Sequence, residues 1–298
     1  MTAGEDLPTE RLEWRTATVS GRPAAYGTAG TGPPLIFLHG WAVTNRTYAG
    51  ALERLRRVGT RVLAPALPGF GGTAPLPADQ TTVEGYAAWV DAFLTAVGCR
   101  EPVVMIGHSF GGGVAIQTAH DFPERVRALV LVNSIGGSAW TRNGSIVKTM
   151  RDRPLWDWGL HFPRDVWPLG QVRKVLPVIV RDMVTNALRN PATFRRVADI
   201  ARFADLTHEL RELRERRLPV VVLWGEQDRI VTRASIDALV DAVGTENVVT
   251  LPGSHSWLLA EPEAFGEMMT NVLSVAERAK AARSRHPLLA RLLRHRAR

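Results

Sequence analysis

Short runs of apolar residues alternate with longer segments of helical periodicity along most of this 298-residue chain. In sequence order the runs are PLIFLH, RVLAPAL, PVVMIG, ALVLVN, PVVVLWG and NVVTLP. A strand that is apolar on both faces needs cover on both sides, and helices between such strands supply the crossovers that parallel pairing requires. The pattern therefore predicts an α/β fold with a doubly wound, mostly parallel sheet.

Two more strand-like segments, EWRTATVS and RPAAYGTA, precede these runs. They are separated by Ser20 and Gly21, a pair that is typical of a tight turn. We expect the two segments to form an N-terminal β-hairpin, which brings the predicted sheet to eight strands.

Strand-like runs are missing from the middle of the chain, between about residues 135 and 217. This stretch has helical periodicity and many aromatic residues, and it interrupts the strand–helix alternation where a loop leaves a strand. We interpret residues 135–217 as a helical lid inserted between two parts of one core, residues 1–134 and 218–275. Residues 276–298 form a separate basic tail.

The positive charge of the chain is concentrated in that tail. The formal net charge is +8, and residues 276–298 contribute +7 from eight Lys or Arg residues and one acid, Glu277. The rest of the chain has no basic stripe, so we expect no nucleic-acid partner. The tail has two interpretations: a solvated segment, or a short amphipathic helix after Pro287 that contacts anionic membrane.

Export signals and cofactor motifs are not recognisable in the sequence. The first residues, MTAGEDLPTERLEW, are polar and acidic, and a single cysteine, Cys99, excludes an internal disulfide, so we expect a cytoplasmic protein. The segment GFGGTA has the spacing of a dinucleotide-binding loop, but the prolines of the following PLPAD cannot open the required helix. The histidines lack metal-ligand spacing, so no metal is expected.

The segment VVMIGHSFGGGVA, residues 103–115, places Ser109 between a strand and a helix. A hydroxyl in so short a turn requires a strained backbone, and the flanking glycines remove β-carbons that would collide with the strand or the helix. The N-terminus of the following helix favours negative charge at the same point. The sequence Gly-His-Ser-Phe-Gly in this context predicts that Ser109 is a nucleophile.

A serine nucleophile needs a base that removes its proton and an acid that orients this base. His255 follows the run NVVTLP, and Asp228 follows PVVVLWG. Parallel strands end at one edge of a sheet, so we expect these side chains to converge with Ser109 as a catalytic triad. Glu226 is an alternative acid, because it lies two residues before Asp228.

Attack on a carbonyl group also requires N–H donors for the developing oxyanion. Phe110 follows the nucleophile directly, so its N–H is one candidate. The other candidate is the N–H of Trp41, in the loop HGW after PLIFLH. We expect His39 in this loop to orient the backbone rather than to take part in the chemistry.

These motifs together resemble the α/β-hydrolase superfamily, in particular its capped serine hydrolases. The resemblance covers about residues 14–275 and depends on GPPLIFLHGW, ALPGFGGT, MIGHSFGGGVA, VVLWGEQDRIV and LPGSHSW, all in family order. It implies the α/β-hydrolase fold, a helical lid, the triad Ser109, Asp228 and His255, and no cofactor. One departure is Ala66, where similar proteins often have an aspartate.

The resemblance also excludes some related activities. Similar dehalogenases and epoxide hydrolases need an aspartate at the position of Ser109. Epoxide hydrolases also use lid tyrosines, whereas the three tyrosines of this chain lie outside residues 135–217.

Large aromatic side chains in the predicted lid are candidates for substrate binding: Trp140, Trp156, Trp158, Phe162 and Trp167. They either bind an apolar acyl or aromatic group or pack the lid onto the core. We expect the partner to be a small apolar carbonyl substrate, with hydrolysis of a carboxylic ester as the first hypothesis. The same residues serve cleavage of a thioester or of a carbon–carbon bond next to a ketone, perhydrolysis, or a non-catalytic lidded receptor.

Overall fold

The computed structural model describes residues 9–137, 172–244 and 248–284. Its strands are β1 (Thr9–Val19), β2 (Arg22–Gly30), β3 (Pro34–Leu38), β4 (Arg61–Pro65), β5 (Val103–His108), β6 (Val126–Val132), β7 (Val220–Gly225) and β8 (Val248–Leu251). Its helices are α1 (Ala49–Arg57), α2 (Val83–Ala96), α3 (Phe110–Asp121), α4 (Val172–Arg189), α5 (Pro191–Phe203), α6 (Thr207–Glu215), α7 (Arg233–Val243), α8 (Trp257–Ala260) and α9 (Pro262–Ser284), with short 3₁₀ helices at Asn45–Tyr48 and Ala78–Gln80.

The eight strands form one sheet in the order β1-β2-β4-β3-β5-β6-β7-β8. β2 pairs antiparallel with β1 and β4, and all pairs from β4 and β3 through to β8 are parallel. The predicted eight-stranded, mostly parallel sheet is therefore confirmed. The N-terminal hairpin is present as well, and its turn residues Ser20 and Gly21 have positive φ angles of 48° and 76°.

The side chains of β5 alternate between two apolar layers, one on each face of the sheet. Val103 and Met105 pack in the layer that contains residues of α2, α3 and α7. Val104 and Ile106 pack in the other layer, with residues of α1, α8 and α9. Since successive strand residues point to opposite faces, a sheet covered by helices on both sides requires the uninterrupted apolar runs seen in the sequence.

β8 is the last strand in the described order of the sheet. It has four residues, and Val249 in it is 38% exposed. β5 lies inside the sheet and is fully buried. The two strands therefore offer very different support to the loops that follow them.

α4 attaches to the core with polar side chains. Asp182 accepts hydrogen bonds from Oγ1 of Thr44 and of Thr47, both at 2.6 Å. One turn later, Asn186 donates to the backbone carbonyl of Ala42 at 3.1 Å. The outward side is apolar and exposed, at Val180, Val184 and Leu188. Ile179, on the same side of the helix as Asp182 and Asn186, is buried in the apolar core, so packing and hydrogen bonds together attach α4.

α4, α5 and α6 belong to the segment predicted as a lid, residues 135–217, and they agree with its predicted helical character. α6 packs against α3 and α7, with Leu210 and Leu213 buried in their apolar layer. Residues 138–171 of the predicted lid lie outside the described residues.

α9 extends beyond its predicted end. The sequence predicted that this helix ends at Val275, whereas its backbone is helical to Ser284, inside the basic tail. The added residues are mostly Ala, Arg, Lys and Glu, which favour helix, and the first proline after them is Pro287. The amphipathic helix predicted after Pro287 lies outside the described residues. No described helix is both long and apolar enough to cross a bilayer.

Candidate active site

Ser109 connects β5 to α3 with no intervening loop. Its backbone angles, φ 53° and ψ −119°, are strained for a residue with a side chain. A β-carbon on Gly107 would collide with the carbonyl oxygen of Gly111, and one on Gly111 would collide with that of Leu38. The strand–turn–helix expected at Ser109 is thus present, although the helix begins at Phe110 and not at Gly111.

His255 and Asp228 form a buried pair at the carboxyl ends of β8 and β7. Nδ1 of His255 lies 2.9 Å from Oδ2 of Asp228. The Asp228 side chain is fully buried, and that of His255 is 8% exposed. Donation from Nδ1–H to the carboxylate leaves Nε2 as the nitrogen of the neutral ring that accepts a proton.

Backbone donors hold the carboxylate of Asp228. Its Oδ1 accepts the N–H groups of Ile230 and Val231 at 2.8 and 2.9 Å. Glu226, the alternative acid, is exposed. The sequence favoured Asp228 over Glu226, and Asp228 is the acid that contacts His255.

The loops after β7 and β8 lie against each other, which brings these two side chains together. The N–H of Glu226 donates to Leu251, and the N–H of Gln227 donates to Gly253, both at 2.9 Å. A β-carbon on Gly225 would collide with the carbonyl oxygen of Gly253, so this close approach needs glycine at position 225.

Asn133 is a site residue that sequence reasoning missed. It directly follows β6, has a φ of 44° and is fully buried. Its Nδ2 donates to Oδ2 of Asp228 at 2.7 Å, and its Oδ1 accepts from Nε1 of Trp257 at 2.9 Å. Its position could have indicated this role, because Asn133 ends the apolar run ALVLVN and β6 lies between the strands that lead to Ser109 and Asp228.

Tyr48 and His108 were also missed, and they connect the loop after β3 to His255. The N–H of Gly40 lies 3.2 Å from the Tyr48 hydroxyl, and this hydroxyl lies 2.8 Å from Nδ1 of His108. Nε2 of His108 lies 2.9 Å from the backbone carbonyl oxygen of His255. A continuous chain of hydrogen bonds therefore passes beside Ser109.

His39 orients the loop after β3, as expected from the sequence. Its Nδ1 donates to the carbonyl of Gly40 at 2.8 Å, and its Nε2 accepts the N–H of Leu67 at 2.8 Å. Burial lowers the pKa of His39 to about 4. A neutral ring with one donor and one acceptor matches both backbone partners.

Both residues predicted to donate to an oxyanion lie near Ser109. Phe110 is fully buried at the first position of α3. Trp41 follows Gly40, where an added β-carbon would lie 3.3 Å from Cβ of Ser109. The indole of Trp41 donates to the carbonyl of Phe194 at 2.9 Å, which ties this loop to α5.

A small cavity of about 30 Å³ borders Ser109. Its walls include apolar side chains and one arginine: Ile135, Ala201, Ile230, Val231 and Arg202. The aromatic residues predicted to bind substrate lie outside the described residues: Trp140, Trp156, Trp158, Phe162 and Trp167. Their contacts with a substrate stay a prediction.

The model of the alpha/beta hydrolase family matches residues 35–267. The chain belongs to this family. The matched range contains all of β3 except its first residue, the strands β4 to β8, the turn at Ser109 and the pair formed by Asp228 and His255. As an alpha/beta hydrolase, the chain is expected to have its reacting groups at the carboxyl edge of the sheet, where the structure places these residues.

Relatives of this alpha/beta hydrolase carry different activity names. A protein of Mycobacterium phage D29, whose name assigns it provisionally to the non-heme haloperoxidases, is 30% identical over 83% of this chain and 89% of its own length. A pimeloyl-[acyl-carrier protein] methyl ester esterase of Shewanella sp. strain MR-7 is 25% identical over 82% of this chain and 91% of its own.

A solved structure of similar fold is a bromoperoxidase from Bacillus anthracis, with a TM-score of 0.71. It is 16% identical and covers 88% of this chain and all of its own. At that identity the likeness concerns the fold alone.

Proposed function

We propose that this alpha/beta hydrolase is a serine hydrolase that cleaves a carboxylic ester through an acyl-enzyme, without a cofactor. The observation that carries the proposal is the buried contact of 2.9 Å between Nδ1 of His255 and Oδ2 of Asp228, at the sheet edge where strained Ser109 lies. This pairing fixes a tautomer in which Nε2 of His255 is the basic nitrogen.

In the first half of the proposed reaction, Oγ of Ser109 attacks the carbonyl carbon of the ester. The hydroxyl proton passes to Nε2 of His255, and the resulting imidazolium is stabilised by Asp228. The carbonyl π electrons move to the oxygen, where the N–H groups of Phe110 and Trp41 bind the negative charge. A donor of this kind typically contributes about 3 kcal/mol.

The second half returns the enzyme to its starting state. The tetrahedral intermediate collapses as the bond to the alcohol oxygen breaks, and His255 gives its proton to the leaving alcohol. Water then attacks the acyl carbon while His255 takes one of its protons. Cleavage of the bond to Oγ releases the acid and returns this proton to Ser109.

An apolar acyl or aromatic substrate is the first choice. Apolar side chains such as Ile135, Ala201 and Val231 border Ser109, together with the charged Arg202. The cavity that they line, about 30 Å³, has room for a water molecule only, so an acyl group needs further space beside it. The ester-cleaving activity in the name of the Shewanella relative supports an ester rather than another carbonyl compound. We propose that the predicted lid aromatics Trp140, Trp156, Trp158, Phe162 and Trp167 complete the acyl pocket.

The test combines covalent labelling with a substrate panel. Fluorophosphonate should label wild-type protein and Ser134→Ala but not Ser109→Ala. Ser134 is a suitable control because its hydroxyl is also buried and donates to the carbonyl of Ile135 at 2.7 Å. p-Nitrophenyl esters of increasing acyl length, a thioester and a vinylogous diketone should then identify the bond that is cleaved. Folded wild-type protein that neither labels nor turns over would favour the receptor hypothesis.

Perhydrolysis is a second candidate, favoured by the provisional haloperoxidase name of the phage relative. The acyl-enzyme at Ser109 would be attacked by hydrogen peroxide in place of water, giving a peracid and the free serine. An assay for peracid formation from an acetate ester and peroxide tests this activity. Peracid at the level given by Ser109→Ala would exclude it.

A further inference from the structure

We infer that Tyr48 and His108 are positioning residues, which together fix the backbone of His255 relative to the backbone of Gly40 and Trp41. The inference rests on the proposed serine-hydrolase function, because it assigns His255 and Trp41 their roles. It adds two residues that do not belong to the triad or donate to the oxyanion themselves.

Hydrogen bonds connect the backbone of Gly40 to the backbone of His255 without a gap. The Gly40 N–H donates to the Tyr48 hydroxyl at 3.2 Å, the hydroxyl donates to His108 Nδ1 at 2.8 Å, and His108 Nε2–H donates to the carbonyl of His255 at 2.9 Å. Tyr48, His108 and His255 are 1%, 3% and 6% exposed, so water does not compete freely for these bonds.

The direction of donation is fixed by the carbonyl of His255. A carbonyl oxygen only accepts, so Nε2 of His108 must carry a hydrogen, and the neutral ring then accepts at Nδ1 from Tyr48. Burial lowers the pKa of His108 to about 3. Burial also raises the pKa of Tyr48, which keeps its hydroxyl protonated. The hydrogen bonds from Gly40 to His255 therefore keep one arrangement of protons across the pH range in which an esterase works.

This row of hydrogen bonds connects the loop that carries the proposed oxyanion donor to the residue that carries the proposed base. The two must keep a fixed distance from each other for catalysis. Gly40 precedes Trp41 and packs closely, since a β-carbon there would lie 3.1 Å from Nδ1 of His108 and 3.3 Å from Cβ of Ser109. At the other end, the rings of His108 and His255 are 4.8 Å apart. A displacement of about 1 Å between a base and its reacting partner lowers rates roughly a hundredfold, so a tether between them affects turnover.

Tyr86 offers a matched control for Tyr48. It is also fully buried, and its hydroxyl donates to the carbonyl of Pro68 at 2.9 Å. Burial raises the pKa of Tyr86 as it does that of Tyr48. Replacing either tyrosine with phenylalanine removes one buried, hydrogen-bonded hydroxyl, but only Tyr48→Phe breaks the link between Gly40 and His108.

The experiment compares Tyr48→Phe with Tyr86→Phe by p-nitrophenyl ester kinetics, with active sites counted by fluorophosphonate titration. We expect Tyr48→Phe to lower kcat per titrated site about tenfold and to leave KM within about twofold. Tyr86→Phe should keep kcat within about twofold at a similar loss of thermal stability. Equal kcat for the two variants would overturn the positioning role.

Substitutions at His108 provide a second test that does not depend on Tyr48. His108→Gln keeps a side-chain N–H that can reach the carbonyl of His255, whereas His108→Met is of similar size and has none. The glutamine variant should keep several times more of the wild-type kcat than the methionine variant. Equal kcat in these two variants would overturn the inference.

Failure of the inference is distinct from failure of the proposed function. If Ser109→Ala retains turnover, the serine-hydrolase proposal itself is wrong. If Ser109→Ala is inactive while Tyr48→Phe turns over like wild type, only the positioning role is wrong.

Discussion

The indole Nε1 of Trp257 donates a hydrogen bond to Oδ1 of Asn133, 2.9 Å away. An amide that receives a donor on its oxygen must direct its nitrogen the other way, and Nδ2 of Asn133 indeed lies 2.7 Å from Oδ2 of Asp228. Trp257 therefore determines which end of Asn133 meets the carboxylate. The result is an N–H donor on the carboxylate oxygen that also contacts His255.

Asn133→Gly should lower kcat about tenfold, because Asp228 loses a charge-assisted donor while glycine tolerates the positive φ at this position. Steady-state kinetics with an ester measures the effect. Asn45→Ala is the control, since it also removes a buried amide, whose Nδ2 donates to the carbonyl of Ala64 at 2.6 Å, away from Asp228. Equal kcat in both variants would contradict this role of Asn133.

Gly107→Ala should destabilise the protein by about 3 kcal/mol, because its β-carbon would meet the carbonyl of Gly111 in the turn at Ser109. Gly50→Ala in α1 is the matched change. The added β-carbon would make only an ordinary contact with Pro262, at 3.5 Å. The substitution should therefore stabilise α1 by roughly 0.5 kcal/mol. Chemical denaturation measures both, and a tolerated Gly107→Ala would mean that the turn relaxes easily.

Acid should weaken the fold through His39. Its pKa is about 4 in the folded protein against 6.5 in the unfolded chain, so between these values the unfolded chain binds more protons. The free energy of unfolding then falls as the pH falls, by at most about 1.4 kcal/mol per pH unit from this group, with the steepest fall near pH 5. Denaturation curves at pH 7, 6 and 5 should show a shallower fall in His39→Asn than in wild type. Identical slopes in wild type and His39→Asn would refute the assignment to His39.

Asp182→Ala should loosen α4, because the hydroxyls of Thr44 and Thr47 lose their common acceptor. Limited trypsin digestion should cut faster at Arg189, the last residue of α4. Asp237→Ala serves for comparison, since it removes only an exposed ion pair with Arg233, and such pairs contribute little. Equal digestion rates in the two variants would show that α4 is held by other contacts.

The sequence predicted the strands, the hairpin and the turn at Ser109 because these depend on local patterns. It favoured Asp228 but kept Glu226 as an alternative, because the two are only two residues apart after the same strand. The choice depends on contacts with Ile230, Val231 and the distant Asn133.

Tyr48 and His108 were beyond reach for a similar reason. Each of their hydrogen bonds in the chain beside Ser109, apart from that of Gly40 to Tyr48, spans 60 residues or more. The predicted end of α9 at Val275 coincided with the start of the basic tail. The helix continues to Ser284 because a change in charge does not by itself end a helix.

The short strand β8 lies at the end of the described strand order, but His255, which follows it, is also held by residues from inside the sheet. The imidazole is fixed by Asp228, its carbonyl by His108, and both partners follow or belong to strands inside the sheet. The position of the base is thus determined in part from the interior of the molecule outward, and not by the outermost strand alone.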